Sequence, residues 1–251
     1  MIRKEELIQI AKLNGLAPRL AELDYLQDIA LLNLYREFGN KLVFKGGTCL
    51  YKMHQLNRFS EDLDFTAKKG FRPKEFFHRL PYFFDLLNIR ARAKVEQFER
   101  SMNVYLDIFG PFYDGRKESA TSLVLNISLR ERVLLPIQAQ LYAPIYREVR
   151  SFDIFPMDEK EILAEKVRAV YERGKARDVY DIWYLLKAKG LSLNIELINK
   201  KLSHSGTRFD KNLFLEKIKE KKAGWEKDLA YLIAGQLPQF ERVKKEIEEK
   251  I

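Results

Sequence analysis

The hydrophobic period of this chain changes near residue 155, and that change restricts the fold more than any other single feature. Before it, "IRARAKVEQF", "NVYLDIFG" and "SLVLNISLRERVLL" read as strands, with "GPFYDGRKESA" as a hairpin connection. After Pro156, "DEKEILAEKVRAVYERGKARDVYDIWYLLKAKG" carries acidic residues at its start, Lys187 and Lys189 near its end, and then Gly190. Such a charge order complements a helix dipole, and the glycine stops the helix. Gly174 is expected to divide this stretch into two helices, with further helices over 194–203, 210–222 and 225–249. The expectation is a mixed α/β domain over 1–155 followed by a helical domain over 156–251.

The first half opens with helices. Leu20, Leu23, Leu26, Ala30, Leu34 and Phe38 recur at spacings of three and four and predict one apolar stripe, ended by Gly39-Asn40. "KLVF" is a short strand, Gly46-Gly47 a turn, and "TCLYKMHQL" a helix starting at Thr48 or just before it. "FSEDLDFTA", Phe59 to Ala67, suits a half-buried strand. A helix is expected over 73–88 despite Pro81, and "PIQAQLY" and "REVRSFDIF" suit short strands.

A chain of 251 residues, 46% hydrophobic and 32% charged, has the length and balance of a soluble globular protein. Cys49 is the one cysteine, so no internal disulfide forms and a reducing cytoplasm is expected. No apolar run nears the roughly 20 residues of a membrane span, and "MIRKEELIQIAK" lacks a signal-peptide core. A formal charge of +9 favours an anionic partner, nucleic acid or nucleotide.

In a strand, Asp62 and Asp64 share one face while Leu63 and Phe65 take the other. Two carboxylates that close repel unless a cation meets them. Mg²⁺, or Mn²⁺, bound by one or two carboxylates together with phosphate oxygens, fits such a pair. Gly46 and Gly47 allow a ligand close to the main chain, and the helix after them offers N–H groups to phosphate. Thr48 or Ser60 could donate a hydroxyl to a triphosphate, and Arg58 could neutralise its charge. Each half alone also suits an ordinary turn and an exposed strand face. Their order and closeness make the combination more specific. By residue type alone, Arg177 and Asp181 suit a surface salt bridge, Lys166 a solvated position, and Cys49, Trp183 and Tyr184 packing.

The segments "FKGGTCLYK", "RFSEDLDF" and "EILAEKVRAVYERGKARDVYDIWYLL" together resemble the AbiEii/AbiGii-type toxin family within the polymerase-β-like nucleotidyltransferase superfamily. The resemblance covers residues about 20–190. It implies an α+β fold, a mixed β-sheet with flanking helices followed by an all-helical domain, with nucleotide bound in a cleft. By resemblance Gly46, Gly47 and Thr48 belong to the phosphate-binding turn and Asp62 and Asp64 to the metal site. Lys166 would meet the triphosphate, and Asp178, with Asp181, would assist deprotonation of the attacking hydroxyl. A nucleoside triphosphate donor, an RNA or tRNA acceptor and a cognate antitoxin are the implied partners, in a type IV toxin–antitoxin or abortive-infection setting. An acceptor that is a protein or small molecule, or a degenerate binding protein without catalysis, is the alternative. One departure stands out. The superfamily's third carboxylate is matched by Asn126, and Asp107 and Glu131 are the candidate substitutes.

Overall fold

The computed structural model describes residues 1–73 and 75–251, which group into two compact units. Residue 74, within the helix expected over 73–88, and the side chain of His204 lie outside the described residues.

The first unit comprises residues 1–53, 59–133 and 137–157. In chain order it holds α1 (Lys4–Leu13), α2 (Pro18–Phe38), β1 (Leu42–Lys45), α3 (Gly46–His54), β2 (Leu63–Ala67) and α4 (Phe76–Asp85). Then come β3 (Arg90–Gln97), β4 (Ser101–Phe109), β5 (Thr121–Ser128), β6 (Gln140–Tyr142) and β7 (Phe152–Ile154). Five strands form one mixed sheet in the order β1-β2-β5-β4-β3, in which only the β2–β5 pair is parallel. The β6–β7 pair forms a separate small sheet. Backbone bonds from Phe44 N to Phe155 O and from Met157 N to Phe44 O add one more chain segment beside β1.

The alternation read from the sequence orients the sheet. Met102, Val104, Leu106 and Ile108 of β4 and Leu123, Leu125 and Ile127 of β5 are buried on one face, as are Leu63 and Phe65 of β2. Burying one Leu or Ile of this kind contributes roughly 1.5–3 kcal/mol. The α2 helix departs from the expected single stripe. It is buried almost all round, including Glu22, Asp24, Gln27 and Asp28. Its acidic residues find partners inside the protein: Glu22 accepts from Phe112 N at 2.6 Å and from Thr121 Oγ1 at 2.7 Å. Asp24 and Asp28 both accept from Lys52 Nζ, at 2.6 and 2.7 Å. A buried polar helix face is tolerable only with such partners.

Two strand boundaries also differ. The strand expected over Phe59–Ala67 begins only at Leu63, leaving Asp62 in the bend before it. The helix expected from Thr48 begins at Gly46, directly after β1.

The second unit comprises residues 54–58, 134–136 and 158–251. It contains α5 (Glu159–Glu172), α6 (Ala176–Lys187), α7 (Ile195–Leu202), α8 (Lys211–Glu220), α9 (Trp225–Leu229) and α10 (Phe240–Glu248). Asp158 caps α5 by accepting from Lys160 N at 2.8 Å. Gly174 lies in the break between α5 and α6. The single helix expected over 225–249 is instead two, because Gly235 adopts φ +107° and Pro238 offers no N–H. Among the described residues no helix is long and apolar enough to cross a membrane.

Candidate active site

In the first unit the chain turns from β1 into α3 without an intervening loop, and Gly46 makes that corner with φ +74°. L-residues rarely adopt such an angle. A second constraint acts on the same residue. A Cβ at Gly46 would lie 3.0 Å from Asp64 Cβ and closer still to its carboxylate. The glycine thus allows a carboxylate to sit directly over the start of a helix, where the N-terminal end of the dipole favours negative charge. The expected turn-then-helix is replaced by a corner that is itself the first helical residue.

Asp64 lies in β2, opposite Lys45 of β1 on one side and Asn126 of β5 on the other. Asn126 Nδ2 donates to Asp64 Oδ1 at 3.1 Å. Lys45, the register neighbour of Asp64, is ion-paired with Glu131. Asp107 sits four residues along β4 from Asn103, the partner of Asn126, so strand geometry puts it roughly 13 Å along the sheet. Of the two suggested substitutes for the third carboxylate, Asp107 is therefore out of reach. Among the described residues no group of three or more His, Cys, Asp or Glu is placed to hold a metal. Asp62 in the bend and Asp64 in β2 are half-buried carboxylates two residues apart, and Asp64 lies beside an amide. Such a set fits a hard divalent cation that takes its other ligands from phosphate and water.

The bend that carries Asp62 is held by two side chains. Thr48 donates its hydroxyl to the Asp62 carbonyl, and Gln27 Nε2 donates to the carbonyls of Ser60 and Glu61, both at 2.9 Å. The Thr48 hydroxyl, expected to meet phosphate, is fully buried and spent on the backbone. Ser60 is buried as well. Gln27, Lys45 and Thr48 support the site from positions whose roles depend on distant partners. Only Thr48 is singled out from the sequence, for a different role. Cys49 is buried, and burial pushes its thiol up, out of the range of a nucleophile.

The second unit holds a separate ionic cluster. Lys166 Nζ meets Asp178 Oδ1 at 2.9 Å and Asp181 Oδ2 at 2.6 Å. Arg58 grips Asp181 with both Nε and Nη2 at 2.7 Å, and Arg173 grips Asp178 at 2.7 and 2.8 Å. Lys166 is 6% exposed, Arg58 2% and Asp178 1%. Burial alone would lower the Lys166 ammonium, but Asp178 and Asp181 outweigh it and raise it. Burial likewise pushes Asp178 up, yet Lys166 and Arg173 hold it below the ordinary carboxylate range. Arg58, expected at a triphosphate, is engaged with a buried carboxylate. Asp178, expected to assist deprotonation, is held by two cations. Asp181, expected beside Arg177, pairs with Arg58 and Lys166. A surface cavity of about 660 Å³ bounded by Lys222, Trp225 and Phe240 includes none of these residues.

The chain is similar over its full length to the nucleotidyltransferase toxin MenT4 from Mycobacterium tuberculosis H37Rv, with a TM-score of 0.66, 20% identity and 88% of that chain covered. It is also similar to JHP933 from Helicobacter pylori, with a TM-score of 0.59, 20% identity, and 94% and 91% of the two chains covered. At these identities the likeness is one of fold. No curated protein matches the sequence. The family described as "Nucleotidyl transferase AbiEii toxin, Type IV TA system" matches residues 31–246, and the chain belongs to it.

Proposed function

We propose that this toxin transfers a nucleotide from a nucleoside triphosphate to an acceptor hydroxyl, with the 3′ end of an RNA, tRNA foremost, as acceptor. The observation that carries the reading is the Asp64 carboxylate seated over Gly46 at the start of α3. Asp62 and Asp64 are the residues that would hold Mg²⁺ or Mn²⁺, which supplies a lowered hydroxyl pKa and charge stabilisation on the departing oxygens. Gly46 and Gly47 keep the first N–H groups of α3 open to phosphate oxygens. Asn126 orients Asp64. Within the second unit, Asp178 and Asp181 position the Lys166 ammonium, and that cluster has three cations against two carboxylates, a surplus that favours an anion. The formal charge of +9 favours a polyanionic acceptor over a neutral one. A cognate antitoxin is the partner that a type IV system implies.

The test is incubation with labelled nucleoside triphosphates, Mg²⁺ and total RNA. Label is expected in RNA, with Asp64→Asn reducing transfer by at least about 100-fold. Full transfer by that variant, or label found only in protein, overturns the reading. One observation favours a second reading: Asn126 occupies the third carboxylate position, which suits a nucleotide-binding protein without turnover. Tight triphosphate binding with no transfer to any acceptor class would support it.

A further inference from the structure

One face of the five-stranded sheet carries its half-buried and exposed residues. Along β4, Asn103, Tyr105 and Phe109 are half-buried and Asp107 is exposed, while the residues between them are buried. Across the edge of the sheet, β3 places Arg90 opposite Phe109, Arg92 opposite Asp107 and Lys94 opposite Tyr105. All three cations are exposed. Their contacts with the aromatic rings are specific. The Arg90 guanidinium lies 4.4 Å from the Phe109 ring centre, Arg92 5.6 Å from the same ring, and Lys94 5.9 Å from Tyr105. Acidic neighbours are present too, since Lys94 pairs with Glu96 at 2.6 Å and Arg92 faces Asp107. The cations still outnumber them three to two along this edge.

This face is continuous with the carboxylate site. Asp64, Asn126, Asn103 and Glu96 stand in register across four adjacent strands, so the row that begins at Asp64 runs onto it. With strands ~4.8 Å apart and ~3.4 Å per residue along them, the distance from Asn103 to Phe109 is roughly 20 Å. That is room for a few unstacked bases. Sheet faces that bind single-stranded RNA use the same combination, aromatic rings for two or three bases and basic side chains for the phosphates. A protein partner is the poorer match, because the centre of a protein interface is depleted of charge.

We propose that this face, from the Asp64–Asn126 row to Arg90 and Phe109, is where the single-stranded 3′ end of the RNA acceptor lies. Tyr105 and the Arg90–Phe109 stack receive bases, and Arg92 and Lys94 meet phosphates. The inference rests on the nucleotidyl-transfer reading above but concerns the acceptor alone.

The test is fluorescence anisotropy with a short labelled single-stranded RNA, using the full chain and the variants Lys94→Glu, Arg92→Ala and Phe109→Ala. Lys94 is 73% exposed in its side chain, so its charge reversal leaves the core intact even where Phe109→Ala does not. Each is expected to weaken RNA binding about fivefold or more, and the two charge changes to flatten its salt dependence. Calorimetric binding of a nucleoside triphosphate with Mg²⁺ should be unchanged in Lys94→Glu. Unaltered RNA affinity in all three variants overturns the proposal. So does loss of antitoxin binding with RNA binding intact, which would make the face a protein interface. Failure of the wild-type protein to transfer any nucleotide, with RNA binding still sensitive to these changes, sinks the transfer reading and leaves the RNA face standing.

Discussion

Gly46 joins two requirements in one position, a positive φ and an absent Cβ beside Asp64. Gly46→Ala should therefore cost about 1–2 kcal/mol from backbone strain alone, and displacing the Asp64 carboxylate should abolish transfer. A thermal melt and a transfer assay on the same preparation check both parts; an active, equally stable variant contradicts the geometry. Asp181 is the second residue with a sharp expectation. It faces both Arg58 and Lys166 in a buried site, and removing it takes a carboxylate away from two buried cations. Asp181→Ala should destabilise the chain by about 3–5 kcal/mol in denaturant titration. Asp28 gives a pH dependence. Burial pushes its carboxyl up to about 7, with Lys52 opposing and Asp24 adding to the rise. Between the ordinary value of 3.8 and about 7 the folded chain holds a proton that the unfolded chain has released. Stability from this group is thus full at low pH and lost as pH rises through about 7. Urea midpoints should fall from pH 5 to pH 7.5, and Asp28→Asn should flatten that slope.

Elements place what single residues cannot. The carboxylate pair was legible because Asp-x-Asp before an apolar alternation marks a strand, and Leu63 and Phe65 do face the core. The strand's start was not legible. Asp62 stays outside β2 because the chain before Leu63 is held by α2 and α3, through Gln27 and Thr48, instead of by a strand ladder. Thr48→Val keeps the side-chain shape but leaves the Asp62 carbonyl without this donor. A loss of about 1–2 kcal/mol is expected, with a larger fall in transfer than Cys49→Ser shows, since the latter touches no site residue. The helix over 225–249 was misread for a similar reason. Its apolar spacing continues through residues 230–233, yet α9 stops at Leu229, and Gly235 and Pro238 keep the following stretch out of a helix. The two-helix reading around Gly174 held because capping and charge order are local signals.

At the scale of the whole molecule, a basic chain of the AbiEii toxin family should arrest growth when expressed, and Asp64→Asn should relieve the arrest at equal protein level. Persistent arrest by a well-expressed variant would separate toxicity from the carboxylate site. Periodicity, charge order and glycine placement by themselves determined the strand and helix content, the change near residue 155 and the acidic pair after the diglycine, because each depends on neighbours within a few residues. Tertiary structure alone decided that α2 is buried on all sides, that Arg58 closes on Asp181 across 123 positions, and that Asn126 lies beside Asp64 in parallel register. Those pairings join residues far apart in the chain, and the cost of burying a charge or a polar atom selects their partners only once the fold has brought them together.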